Sequence, residues 1–121
     1  MRTIFRSILL VCFTGVFFNS FGLAQNQPED IGRELYLSYG CAVCHGVLGD
    51  GKGMRKLERE MMPTNFTDGN SYRFGKDKNS IKHSIKFGIK EQGTVMPAFQ
   101  HISDEELEAI SLYLISLQKE K

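Results

Sequence analysis

The sequence predicts an all-α domain, and three observations carry that expectation. Apolar residues recur at helical spacing in three separate stretches, near residues 29–38, 79–89 and 103–117. No stretch of useful strand length alternates apolar with polar residues, and no internal repeat is present. Helix punctuation stands where the stretches begin and end: Pro28, Gly40, Pro63, Pro97, and a capping box formed by Ser103 and Glu106.

The helical stretches follow a leader of different character. The 121 residues allow one domain, and 41% hydrophobic content is too apolar for a disordered chain. Five of the nine phenylalanines lie in the first 21 residues, and no acidic residue precedes Glu29. Arg2 and Arg6, the apolar run Ile8 to Phe18 and the small-residue end at Ala24 therefore read as a secretory signal peptide over residues 1–24. The run is too short to span a bilayer comfortably, so a membrane association is expected only if this segment stays uncleaved. Cys12 makes a poor lipoprotein site, because bulky Val11 precedes it. Export places the domain, residues 25–121, in the periplasm. Without the leader it keeps 13 basic residues against 14 acidic ones, a net charge of −1, which excludes a strongly basic nucleic-acid binder.

Within that domain the elements follow in order. The first helix is expected over Glu29 to Ser38, with Ile31, Leu35 and Tyr36 as its apolar stripe. Glu29 and Asp30 suit its positive end, and Gly40 ends it. Gly46, Gly49, Gly51 and Gly53 make a loop, and Met54 to Met62 one or two helical turns stopped by Pro63. The second clear helix runs from Asn79 or Ser80 to Ile89. Ile81, Ile85 and Ile89 line one face, with Lys82, Lys86 and Lys90 on the neighbouring one. Gly93 to Pro97 is extended, because Pro97 disfavours helical backbone at Met96. The last helix starts at the Ser103 cap, gathers Asp104, Glu105, Glu106 and Glu108 in its first turns, and buries Leu107, Ile110, Leu114 and Leu117, with Tyr113 beside them.

The chemistry is concentrated at Cys41, Cys44 and His45. A disulfide between cysteines three apart closes too short a loop to restrain much chain entropy. A C-x-x-C redox site normally follows a strand in a βαβ pattern, which is missing before Cys41. Zinc needs a further pair of ligands, and no other cysteine remains after the leader. C-x-x-C-H is instead the attachment sequence of c-type haem. The two thiols form thioethers with the porphyrin vinyl groups, and the histidine lies under the iron. One covalent haem c, held through Cys41 and Cys44, is the expected cofactor.

The second axial ligand decides what such an iron does. Met54, Met61, Met62, Met96, His83 and His101 are the candidates. Met96 stands 51 residues after His45, far enough for the chain to reach the opposite haem face, and in an extended Gly/Pro-bounded segment rather than on a helical stripe. It is the first choice and His101 the second. The other methionines read as core filler, and His83 as a solvated side chain beside the lysines. A thioether favours ferrous iron and raises the reduction potential. With both axial positions filled, electron transfer rather than catalysis is expected.

With Cys41-Ala42-Val43-Cys44-His45-Gly46 and Thr94-Val95-Met96-Pro97-Ala98-Phe99 in place, the chain resembles the class I cytochrome c family over essentially the whole domain. The resemblance implies a cytochrome c-like fold of three to five helices wrapped around one covalently bound haem, with His45 and Met96 as axial ligands. It implies that the first and last helices cross through Gly32 and Tyr36 packed on Ile110 and Tyr113. It also implies a proline carbonyl that accepts the second ring N–H of the haem histidine, for which Pro63 is the candidate. Tyr72, Arg73 and Lys76 are candidate partners of the haem propionates. The loop Gly49 to Gly53 lacks the strand and the G-K-[ST] ending of a phosphate cradle, so it is expected to pass close to the porphyrin edge.

These readings converge on a periplasmic electron carrier, a monomer or a subunit of a respiratory complex, that meets redox protein partners. A docking face at Lys82, Lys86 and Lys90 would steer an acidic partner. A haem subunit of a larger oxidoreductase is the alternative, and a gas-binding sensor a more distant one.

Overall fold

The computed structural model describes residues 26–54, 62–91 and 94–118. The expected leader at residues 1–24, most of the Met54 to Met62 stretch and Met61 itself lie outside them. Among the described residues no helix is long and apolar enough to cross a membrane.

Among the described residues, four helices and one small hairpin make the fold. Helix α1 spans Pro28–Ser38, α2 Ala42–His45, α3 Lys78–Phe87 and α4 Asp104–Ser116, with a 3-10 turn at Gly69–Ser71. Strands β1 (Ile89–Glu91) and β2 (Thr94–Met96) pair antiparallel, with Ile89 opposite Met96.

Helix α4 is the spine. Leu107, Ile110, Ser111, Tyr113 and Leu114 are buried along it, because α1 and α3 both pack against it. Each such apolar side chain contributes about 1.5–3 kcal/mol relative to exposure. Its start is the expected capping box: the Ser103 hydroxyl accepts from the Glu106 N–H at 3.3 Å, and the Glu106 carboxylate accepts from the Ser103 N–H at 3.0 Å.

Helix α1 meets α4 at Gly32. A Cβ there would lie 2.0 Å from the Ala109 carbonyl oxygen and 2.8 Å from Tyr113 Cβ, so only glycine lets the backbones approach. One turn on, the Tyr36 ring meets the Tyr113 ring edge-on at 5.5 Å. Gly32 and Tyr36 are thus the buried line of α1. The expected stripe is corrected in one respect: Ile31 is 43% exposed, since among the described residues α1 packs chiefly on α4 and needs only a narrow buried edge.

The second correction concerns α3. Ile81 and Ile85 are buried as expected, but the helix stops at Phe87 and Ile89 belongs to β1. Gly88 stops it, with φ at +71° and its Cα so near β2 that a Cβ would sit 2.6 Å from the Met96 carbonyl oxygen. The all-α expectation therefore holds for the packed layers, with this three-residue hairpin added to it.

The lysines of α3 face the acidic start of α4. Lys78 Nζ lies 2.7 Å from a Glu108 oxygen, Lys86 Nζ 2.8 Å from Asp104, and Lys82 Nζ 3.8 Å from Glu108. The single Lys82/Lys86/Lys90 face is thereby divided: two of its members turn to α4, and Lys90 stands exposed on β1.

Candidate haem-binding site

The attachment residues sit on one helical turn. Tyr36, at the end of the helix-crossing core, accepts the Cys41 N–H at 3.1 Å through its carbonyl, and the His45 N–H donates to the Cys41 carbonyl at 2.9 Å. Cys41 and Cys44 thus become neighbours on one face of a turn. Both thiols are unbridged and half-buried. Burial pushes the Cys41 thiol up to about 11, so it is held protonated.

The turn is tied down on its far side. The Tyr36 hydroxyl donates to the Gly46 carbonyl at 2.7 Å. Gly51 N–H donates to the His45 carbonyl and Gly53 N–H to the Cys44 carbonyl, so the glycine loop folds back over α2.

His45 is oriented by a carbonyl. Its Nδ1 lies 3.1 Å from the Thr64 oxygen. A carbonyl only accepts, so the proton is on Nδ1 and the Nε2 lone pair stays available. Burial lowers the imidazole pKa, against a smaller opposing effect of the Thr64 bond, which keeps the ring neutral. The expected acceptor, Pro63, is corrected to Thr64, one residue later. Successive carbonyls of an extended segment point to opposite sides, so an offset of one changes which oxygen faces the ring.

His45 and Met96 line the same cleft, walled by Phe66, Ile81, Ile85 and Leu114. Met96 is half-buried and packs against the core. The segment after it is fixed by the Phe99 N–H, which donates to the Ile85 carbonyl at 3.0 Å. The other candidate ligands among the described residues fall elsewhere. His83 lies against Phe87, and His101 lies against Tyr39 and Phe99; both are exposed and neither lines the cleft. Met54 and Met62 are exposed.

Tyr72 and Arg73 also line the cleft. The Tyr72 hydroxyl donates to the Leu114 carbonyl of α4 at 3.3 Å. Lys76 is outside the lining, and its carbonyl accepts from the Gln118 amide. Sequence reasoning missed Thr64 and Phe66. The available signal was the Asn65 side chain, whose oxygen accepts from the Thr67 N–H and hydroxyl and so marks a fixed turn around Phe66.

The donor set fits a c-type haem. Two unbridged thiols share a turn, a neutral imidazole keeps one nitrogen free, and a thioether shares an apolar cleft with it. Protein-family comparison agrees. Residues 27–114 match the family model described as cytochrome C oxidase, cbb3-type, subunit III. No curated protein matches the chain. Among solved structures it is similar to a chain of the Kuenenia stuttgartiensis reducing HAO-like protein complex Kustc0457/Kustc0458, at 28% identity and a TM-score of 0.66. That match covers 78% of this chain and 46% of the other, so the present chain corresponds to less than half of its neighbour. With a family match over most of its length and a donor set to suit, this chain belongs to the cbb3-type subunit III family of c-type cytochrome domains.

Proposed function

We propose that the chain carries single electrons through a haem attached at Cys41 and Cys44, with His45 and Met96 as its axial ligands. One observation carries this reading: His45 and Met96 line one apolar cleft, while His83 and His101 stand outside it. The haem supplies the one-electron couple of its iron. The chain's own residues do the rest. Thr64 holds the proton on Nδ1 and so presents Nε2 to the metal. Met96 offers a soft sulfur that favours the ferrous state. Ile81, Ile85 and Leu114 line the cleft with apolar side chains, and such burial is one of the levers by which a protein sets a haem's potential.

Residues 1–24 direct the domain to the periplasm in this reading. Its partners are redox proteins. A second arrangement, a haem subunit held in a larger oxidoreductase, is favoured by the solved neighbour, which is part of a complex. Co-purification of a dehydrogenase or reductase subunit identifies that arrangement, and isolation of a lone monomer identifies the shuttle.

The test is the absorption spectrum of the haem-loaded protein beside a Met96→Ala variant. A weak far-red band in the oxidised protein, lost in the variant, is the expected result. Absence of that band, with ready carbon monoxide binding by the reduced wild type, would overturn His/Met ligation and favour a sensor.

A further inference from the structure

We propose that Phe66 is a positioning residue for His45, fixing the plane in which the imidazole is presented to the iron. This rests on the reading of His45 as a haem ligand. The Phe66 and His45 rings are stacked, with centroids 4.5 Å apart and planes inclined by 26°. The bond from Nδ1 to Thr64 fixes where one N–H points, but a single hydrogen bond lets the ring tilt about its own axis. A flat aromatic face against the imidazole removes that freedom. Groups just outside the ligands set their orientation in metal sites generally, and here the group is a ring rather than a hydrogen-bond acceptor.

Phe66 is itself held from several directions. It is 8% exposed, and its N–H donates to the Gly49 carbonyl at 2.7 Å. The Tyr36 ring meets it edge-on at 6.4 Å, inclined by 79°, and Tyr72 leans on it at 5.7 Å. Tyr36 also bonds the carbonyl of Gly46, the residue after the ligand. The same tyrosine therefore fixes the backbone beside His45 and the ring stacked on His45. Through Tyr36 and Tyr113, the orientation of the ligand is referred to the α1/α4 crossing. An aliphatic side chain of similar volume would fill the space and impose no plane.

The experiment uses the haem-loaded protein. Absence of covalently attached haem in the wild type would defeat the ligand reading, and this inference with it. With haem attached, Overhauser contacts between the Phe66 and His45 ring protons are expected in the reduced, diamagnetic protein; their absence overturns the inference alone, without recourse to any variant. In the oxidised protein, Phe66→Leu is expected to rearrange the order of the hyperfine-shifted haem methyl resonances, and Phe66→Tyr to retain the wild-type order. A Leu variant that is merely less heat-stable, with its methyl order unchanged, would show Phe66 to be core filling and overturn the inference. So would a folded Tyr variant with a rearranged order.

Discussion

The two walls of the cleft are built to different standards. His45 closes a helical turn whose backbone is bonded to Tyr36 before it and to the glycine loop after it, and its ring is bonded by Thr64 and stacked by Phe66. Met96 ends a three-residue strand, with Val95 66% exposed on one side and Pro97 exposed on the other. The imidazole is thus integrated into the packing that makes the fold, whereas the thioether stands on a local hairpin. Changes on the first wall act on stability and site together; changes on the second act on the site.

The largest way to break this contrast is Gly32→Val. Its side chain meets the Ala109 carbonyl and Tyr113, and a loss of about 3 kcal/mol or more is expected in denaturant unfolding, with haem retention failing too. Tyr36→Phe is milder. It removes one of the two donors to the Gly46 carbonyl, which keeps the Gly49 N–H, so a loss of about 1 kcal/mol is expected, with unfolding midpoint and visible spectrum both altered. Ser103→Ala removes the α4 cap for about 1 kcal/mol and, lying away from the cleft, should leave the spectrum untouched. A spectral change in that variant would mean that the two walls are coupled through α4.

The smallest effect is that of acid. Lys86 holds Asp104 below its ordinary pKa, the Ser103 N–H does so for Glu106, and Lys78 for Glu108. Groups with lowered pKa contribute stability that is fully present above the ordinary carboxylate range and is lost as pH falls from that range through their lowered values. A modest decline in melting temperature is therefore expected on the acid side, and it should be shallower in an Asp104→Asn variant.

What the sequence made legible was local. The Ser103/Glu106 box and the Cys41-Cys44-His45 turn are each written within a few residues, whereas the Gly32/Tyr36 crossing came with the family resemblance, periodicity alone having marked the exposed Ile31. Of the hairpin only β2 was legible, inside the segment that Pro97 marks as extended; β1 was not, since a three-residue strand is shorter than any alternation can reveal and Ile89 fits the α3 stripe by coincidence of spacing. Thr64 was missed by one position, because which carbonyl of a loop faces inward depends on tertiary context. The stacking of Phe66 on His45 joins residues 21 apart across a loop, and no local pattern encodes it.

The ion pairs between α3 and α4 bear on how the molecule is met from a distance. Cations and anions that lie a few ångströms apart cancel, so their joint potential decays well inside the ~8 Å screening length of physiological salt. These three pairs therefore add little far field of their own. A redox protein that approached over this paired α3/α4 surface would be oriented by shape at close range, and neutralising Lys82 or Lys86 should change its encounter rate less than neutralising exposed Lys90.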